Sequence, residues 1–276
     1  MDVVQTLLRE GFDRVLVLSG GECGVQEKTV LLAVMTYQAE AHPAENGAWI
    51  HPYYFASQRA YRIASSLVKQ AQAEGIPLQL RDELRVKPIF ARLPGMTQGR
   101  NTLSYLPGIG SRFHVQIMTL DSVLEPNIHL AKEPHPLHCG SCRACLEACP
   151  TGALDGEGFH RERCLRNWQL GGQPVPESLR AAMGNRLIGC DTCQCCCPHN
   201  PAPQGQSHDR ISLQWMLQEP KQVAALLKTQ IGSNLALSNR VLAQACLLAG
   251  NSNDASLLPL LETLCGHPSP LVAEQA

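Results

Sequence analysis

Ten of the thirteen cysteines in this 276-residue chain lie between Cys139 and Cys197. Cys23 alone precedes that segment, and Cys246 and Cys265 follow it. A disulfide framework would spread its cysteines along the chain, so this segregation points to metal or redox chemistry in one segment. The opening MDVVQTLLREGFDRVLV carries acidic residues within its apolar stretch and does not read as a signal peptide. No apolar run approaches the ~18 residues of a membrane helix. The expectation is a cytoplasmic protein without a membrane partner. With 23 basic and 24 acidic residues, the chain shows no basic footprint for nucleic acid.

The spacing within the segment is specific. Cys139-Gly-Ser-Cys142-Arg-Ala-Cys145-Leu-Glu-Ala-Cys149-Pro150 is C-x2-C-x2-C-x3-C-P, the bacterial ferredoxin run. Three thiolates on a tight loop grip one cubic cluster, and the fourth points to a second one. Cys190-Asp-Thr-Cys193-Gln-Cys195-Cys196-Cys197-Pro198 supplies the reciprocal half, with Cys197 equivalent to Cys149. The first cluster is expected on Cys139, Cys142, Cys145 and Cys197. The second is expected on Cys149, Cys190, Cys193 and one more thiolate. Spacing leaves that ligand open between Cys164, alone in RERCLRNW, and Cys196, which would complete C-x2-C-x2-C. Zinc is the competing metal, since C-x2-C also builds zinc ribbons, but four zinc ligands would strand Cys149 and the downstream set.

Around this segment the chain divides into three expected regions. Residues 1–130 form an α/β or α+β domain. VLVLS (15–19) and VLLAVMTY (30–37) read as buried strands, and FHVQIMTL (113–120) as an alternating strand with Phe113, Val115 and Ile117 on one face. Residues 57–75 place Ala60, Ala64, Leu67, Val68 and Ala71 on one helical face, with Gly75 and Pro77 as stops. Residues 93–111 read as a long loop system. SGGECG (19–24) lacks the features of a phosphate loop and reads as a flexible turn. Residues 131–202 form a ferredoxin-like double 4Fe-4S domain that depends on metal for its fold. Residues 203–276 read as helical. NRVLAQACLLAG and ASLLPLLETLCG there resemble one HEAT-type hairpin, and Cys246 and Cys265 read as buried apolar residues.

The order HCGSCRACLEACPTGAL, then ERC, then GCDTCQCCCPHN resembles the epoxyqueuosine reductase family of cobalamin-dependent iron–sulfur enzymes, related to reductive dehalogenases. GRNTL (99–103), GSRF (110–113) and MTLDSVLEP (118–126) extend the likeness upstream. The resemblance implies Cys164 as the fourth ligand of the second cluster, with Cys195 and Cys196 spare. It implies a cobalamin-binding N-terminal domain, with Gly99, Arg100, Asn101 and Thr102 lining the cofactor face. A turn capped by Asn101 is the competing reading of that tetrapeptide. It also implies an electron donor of the flavodoxin or ferredoxin type and a tRNA substrate, which the even charge does not favour. Two features depart from the family. Its acidic proton-donor motif has no counterpart, because Asp82 and Glu83 read as a charged turn, and GMTQG (95–99) replaces a tryptophan-bearing segment. A shorter, divergent paralogue is expected. His51-Pro52-Tyr53-Tyr54 could serve a cofactor, although a polar loop entering a helix explains it as well. His135 and His138 flank the first cysteine motif, where a hydrogen bond to sulfur could tune a cluster.

Overall fold

The computed structural model describes residues 1–40, 47–135, 139–206 and 208–276. Eight strands occur among them: β1 (Arg14–Ser19), β2 (Thr29–Thr36), β3 (Trp49–Ile50), β4 (Leu78–Leu80), β5 (Thr97–Gln98), β6 (Ser104–Tyr105), β7 (Phe113–Leu120) and β8 (Arg186–Ile188). Grouped by contact, the chain forms two compact units, each assembled from three stretches. The first holds 1–38, 56–142 and 197–201. The second holds 39–55, 143–196 and 202–276.

The first unit is built on an antiparallel sheet ordered β1-β2-β7-β4. Strands β1 and β2 carry unbroken apolar runs because both faces of the sheet are covered. On one face, Val15, Val17, Leu31, Ala33, Met118 and Leu120 pack against Ala60, Ala64, Leu67, Val68 and Ala71 of the Pro52–Ala73 helix. On the other, Leu16, Leu18, Val30, Leu32 and Ile117 pack against Ile89, Phe90, Leu93 and Met96. Phe113 and Val115 join that second cluster, as their alternation predicts. The uniformly antiparallel pairing makes this unit α+β rather than a parallel α/β fold.

The SGGECG segment is a helical turn, Gly20–Cys23, closed by Gly24 in the left-handed conformation at φ 73°. The Gly20 N–H donates to Lys28 O at 2.9 Å. A Cβ on Gly20 would stand 1.6 Å from Glu27 O. The turn is therefore held by close backbone approach, which the glycine-rich composition disguised as flexibility. Gly20→Ala is expected to cost about 1–3 kcal/mol as an overpacking change, read as a lower denaturation midpoint at unchanged m-value.

The second unit has the two-stranded parallel pair β3–β8 and a helical core. Its Ser238–Asn251 helix buries every residue from Val241 to Ala249 and packs on the helices Leu213–Gln218, Pro220–Ile231 and Pro270–Ala273. Cys246 is 1% exposed. Cys265 is instead exposed, a correction to the sequence reading. The Leu258–Leu264 helix ends before it, so helical spacing no longer aims Cys265 at the core. Among the described residues no helix is long and apolar enough to cross a membrane.

Candidate iron–sulfur centre and cofactor cleft

Two short helices carry the cysteine motifs, Ala144–Ala148 after Cys139 and Cys142, and Thr192–Cys195 after Cys190. Cys139, Cys142 and Cys197 belong to the first unit; Cys145, Cys149, Cys164, Cys190 and Cys193 belong to the second.

Within the second unit the sulfurs sense one another. Burial raises the Cys164 thiol above its ordinary value, and the Cys190 and Cys149 sulfurs raise it further. Burial likewise raises Cys193, helped by Cys190, Cys145, Cys164 and Cys196. Such a group of thiolates repels itself unless a strongly positive centre lies among them, which a cluster's iron supplies. Cys149 runs the other way. Burial opposes its ionisation, yet N–H groups of Thr151, Leu154 and Ala153 and the Thr151 hydroxyl hold its thiol below the usual range. The donor set therefore fits thiolate ligation. The sulfurs are not gathered on one point: among the described residues, no three His, Cys, Asp or Glu side chains stand close enough for a single ion.

A repeated local pattern supports the two halves. Thr151 Oγ1 lies 3.8 Å from Cys149 Sγ, and Thr192 Oγ1 lies 3.5 Å from Cys190 Sγ. Threonine two residues after a cysteine was visible in the sequence as CPT and CDT, and went unread. Gln169, 2% exposed, holds the backbone before Cys190 with its amide. Gly189 N donates to its Oε1 at 2.6 Å, and its Nε2 donates to Gly189 O at 3.0 Å. Cys195 is exposed and sits 3.3 Å from Asp191 Oδ2.

In the first unit, the GRNT tetrapeptide lies against the cysteine loop. Arg100 N donates to Cys139 Sγ at 3.4 Å, and Arg100 Nη2 donates to Gly140 O at 2.9 Å. Asn101 is buried and accepts Leu103 N–H at 3.3 Å, so it does close the turn. Thr102 adopts φ 63°, a left-handed conformation uncommon outside glycine. Gly99 is tightly enclosed, since a Cβ there would lie 2.6 Å from Asn101 Oδ1. Tyr105, which the sequence reading missed, donates its hydroxyl to Cys197 Sγ at 3.2 Å. Burial, then the Cys197 sulfur, raises the Tyr105 phenol above its ordinary value and keeps it protonated.

A cleft of about 490 Å³ opens beside these groups. Gly95, Thr97, Tyr105, Gly108, Gly110 and His199 are among its lining residues. Pro198 and Asn200 also border it, and Asn200 Oδ1 accepts Ser111 N–H at 2.7 Å. Gly95, Gly108 and Gly110 carry no side chain into this cleft, so a ligand there can approach the backbone closely.

The other candidates fare differently. His51, 5% exposed, accepts Tyr53 N–H at its Nδ1 (3.0 Å) and meets Trp49 edge-on, so it starts a helix within the core. Tyr54 lies under the Arg166 guanidinium, and burial pushes its phenol up to about 12. His135 donates its backbone N–H to Ala91 O at 2.7 Å and is half-buried. His138 lies outside the described residues. Burial and Glu22, against Arg92, push the Cys23 thiol up to about 11, which argues against a reactive thiol. Asp82 accepts from Gln116 and Glu83 pairs with Arg81, the charged turn expected there.

Comparison with known proteins agrees with this geometry. The model of the 4Fe-4S double cluster binding domain matches residues 138–200. An epoxyqueuosine reductase of Pseudomonas aeruginosa is 32% identical over 231 residues, 75% of this chain and 61% of that protein. One from Bacillus subtilis is 32% identical over 193 residues, 63% and 46% respectively. One from Alicycliphilus denitrificans is 40% identical over 114 residues, 40% and 30%. The matches thus span 30–61% of the length of these three relatives. A structure of epoxyqueuosine reductase from Bacillus subtilis aligns with TM-score 0.76 at 20% identity, covering 99% of this chain and 87% of that one. A crystal structure of epoxyqueuosine reductase with an epoxyqueuosine-modified tRNA stem loop aligns with TM-score 0.78 at 19% identity and the same coverage. The chain carries a 4Fe-4S double cluster binding domain within the fold of the epoxyqueuosine reductases, and its sequence is similar to theirs.

Proposed function

We propose that this chain is an iron–sulfur reductase of epoxyqueuosine reductase type, in which two 4Fe-4S clusters pass electrons to a cobalamin-type cofactor. The observation that carries this reading is the half-buried sulfur set of Cys149, Cys164, Cys190 and Cys193, which lie near enough to raise one another's thiols. Those four residues would hold the second cluster, and Cys139, Cys142, Cys145 and Cys197 the first. The clusters supply one-electron transfer. Cobalamin, when bound, supplies a strongly nucleophilic reduced cobalt. The chain's own residues orient the ligand loops, exclude water from the sulfurs and offer donors to them. Gly99, Arg100, Asn101 and Thr102, with the glycine-lined cleft, are the residues we assign to the cofactor face. In this reading 1–130 carries cofactor and substrate, 131–202 carries the clusters, and 203–276 is a HEAT-like tail.

A flavodoxin- or ferredoxin-type protein would deliver the electrons. A tRNA stem loop is the substrate class suggested by the structural neighbour that binds one. Few phosphate contacts are expected at net charge −1, so RNA binding should have a shallow salt dependence. The bonding of Asp82 to Gln116 and of Glu83 to Arg81 leaves neither poised as the family's proton donor, which favours a second reading. In that reading the chain is a non-catalytic electron carrier for a partner enzyme. Anaerobic titration with cobalamin separates the two. The reductase reading expects tight binding with a shifted cobalamin spectrum. The carrier reading expects redox-active clusters and an unshifted spectrum.

A further inference from the structure

We infer that Tyr105 is a positioning residue that sets the reduction potential of the first cluster by donating a hydrogen bond to Cys197. The inference rests on the proposed ligation of that cluster by Cys197. The geometry fixes the direction of the bond. Asn101 Oδ1 accepts Leu103 N–H, which turns its Nδ2 toward Tyr105, where it donates to Oη at 2.9 Å. The Ser111 hydroxyl lies against the same oxygen. Tyr105 Oη is thus the acceptor in the amide bond, and its single proton is left for Cys197 Sγ at 3.2 Å. Tyr105 and Asn101 are 6% and 5% exposed, so water competes little for either group. The ring is set edge-on to His199 at 5.9 Å.

A donor on a ligand sulfur spreads negative charge away from the cluster. The reduced cluster carries one more electron and gains more from the donor, so the bond raises the potential. A one-electron carrier supplies that electron. Tyr105 keeps its proton, and no covalent bond forms or breaks. Cys139 receives a donor too, but from the Arg100 backbone, which substitution leaves in place.

Tyr105→Phe removes the hydroxyl and keeps the ring. Redox titration of the anaerobically purified full chain, followed by electron paramagnetic resonance, reads the result. Full iron is expected. The cluster lost in Cys139→Ser should be harder to reduce by roughly tenfold, 59 mV for one electron. The other cluster should keep its potential. Asn101→Ala, which removes the orienting amide, should shift the same cluster in the same direction by less. Full iron with both potentials unchanged overturns the inference, as does a shift confined to the other cluster. If Tyr105→Phe loses iron, Asn101→Ala decides: intact iron without a shift overturns it. Loss of the first cluster in both variants also overturns it, because both residues would then be structural supports. A wild-type chain that assembles no clusters overturns the ligation reading itself, a distinct failure.

Discussion

Cys164→Ala is expected to halve the iron, from about eight to about four atoms per chain, while Cys195→Ala and Cys196→Ala leave it unchanged. Cys164 stands apart in sequence from every other cysteine, yet its thiol, raised mainly by burial, is raised further by the Cys190 and Cys149 sulfurs. Cys195 is exposed and its sulfur meets the Asp191 carboxylate instead. A carboxylate beside a thiolate disfavours the negative form a ligand must take. Iron quantification on the three anaerobically purified variants reads the result. Full iron in Cys164→Ala with half in Cys196→Ala would move the fourth ligand to Cys196.

Glu40→Ala is expected to cost about 3–5 kcal/mol of stability, the loss typical of stripping one partner from a buried ion pair. Glu40 and Arg210 are paired at 2.6 Å, with side chains 3% and 8% exposed. The pair is two-pronged: Arg210 Nη1 reaches Oε1 at 3.2 Å while Nη2 holds Oε2. Trp49 Nε1 and His208 N donate to the same carboxylate at 3.2 and 3.1 Å. Removing Glu40 leaves the guanidinium buried without its partner. Double replacement of Glu40 and Arg210 by apolar residues should recover much of the loss, because the pair itself also costs desolvation. Chemical denaturation of single and double variants checks both statements. Burial works to raise the Glu40 carboxyl, but Arg210, His208 and Trp49 outweigh it and hold its value below the usual range. The stabilisation is therefore full above the unfolded carboxyl value of about 4.3 and is lost as pH falls through the lower folded value. Glu40→Ala should accordingly show a flatter loss of stability on acidification than the wild type.

The readable parts of the sequence were those written in local spacing. C-x2-C-x2-C-x3-C-P and the reciprocal C-x2-C-x3-C-P are short-range patterns, and the matched double cluster domain at 138–200 covers both. Strands 14–19 and 29–36 were legible as short apolar runs, and strand 113–120 and the face of Ala60, Ala64, Leu67 and Val68 as periodicity, because burial on one face imposes it. Tyr105 was unreadable for the opposite reason. Its partner Cys197 is 92 residues away, and the glycine- and proline-rich sequence around it, read as loop, hid both the short β5–β6 pair that carries Tyr105 and that contact. The interleaving of the units was equally hidden, since the short strand at Trp49–Ile50 finds β8 only through tertiary pairing. Gly20 misled in another way: composition said flexible, while packing against Glu27 made it rigid.

The most direct test of the central claim is iron and acid-labile sulfide analysis of the anaerobically purified chain, with electron paramagnetic resonance after reduction. Two ligand sets predict about eight irons and eight sulfides per chain and signals from two interacting one-electron clusters. Zinc in place of iron, or about four irons insensitive to Cys164→Ala, would contradict the account.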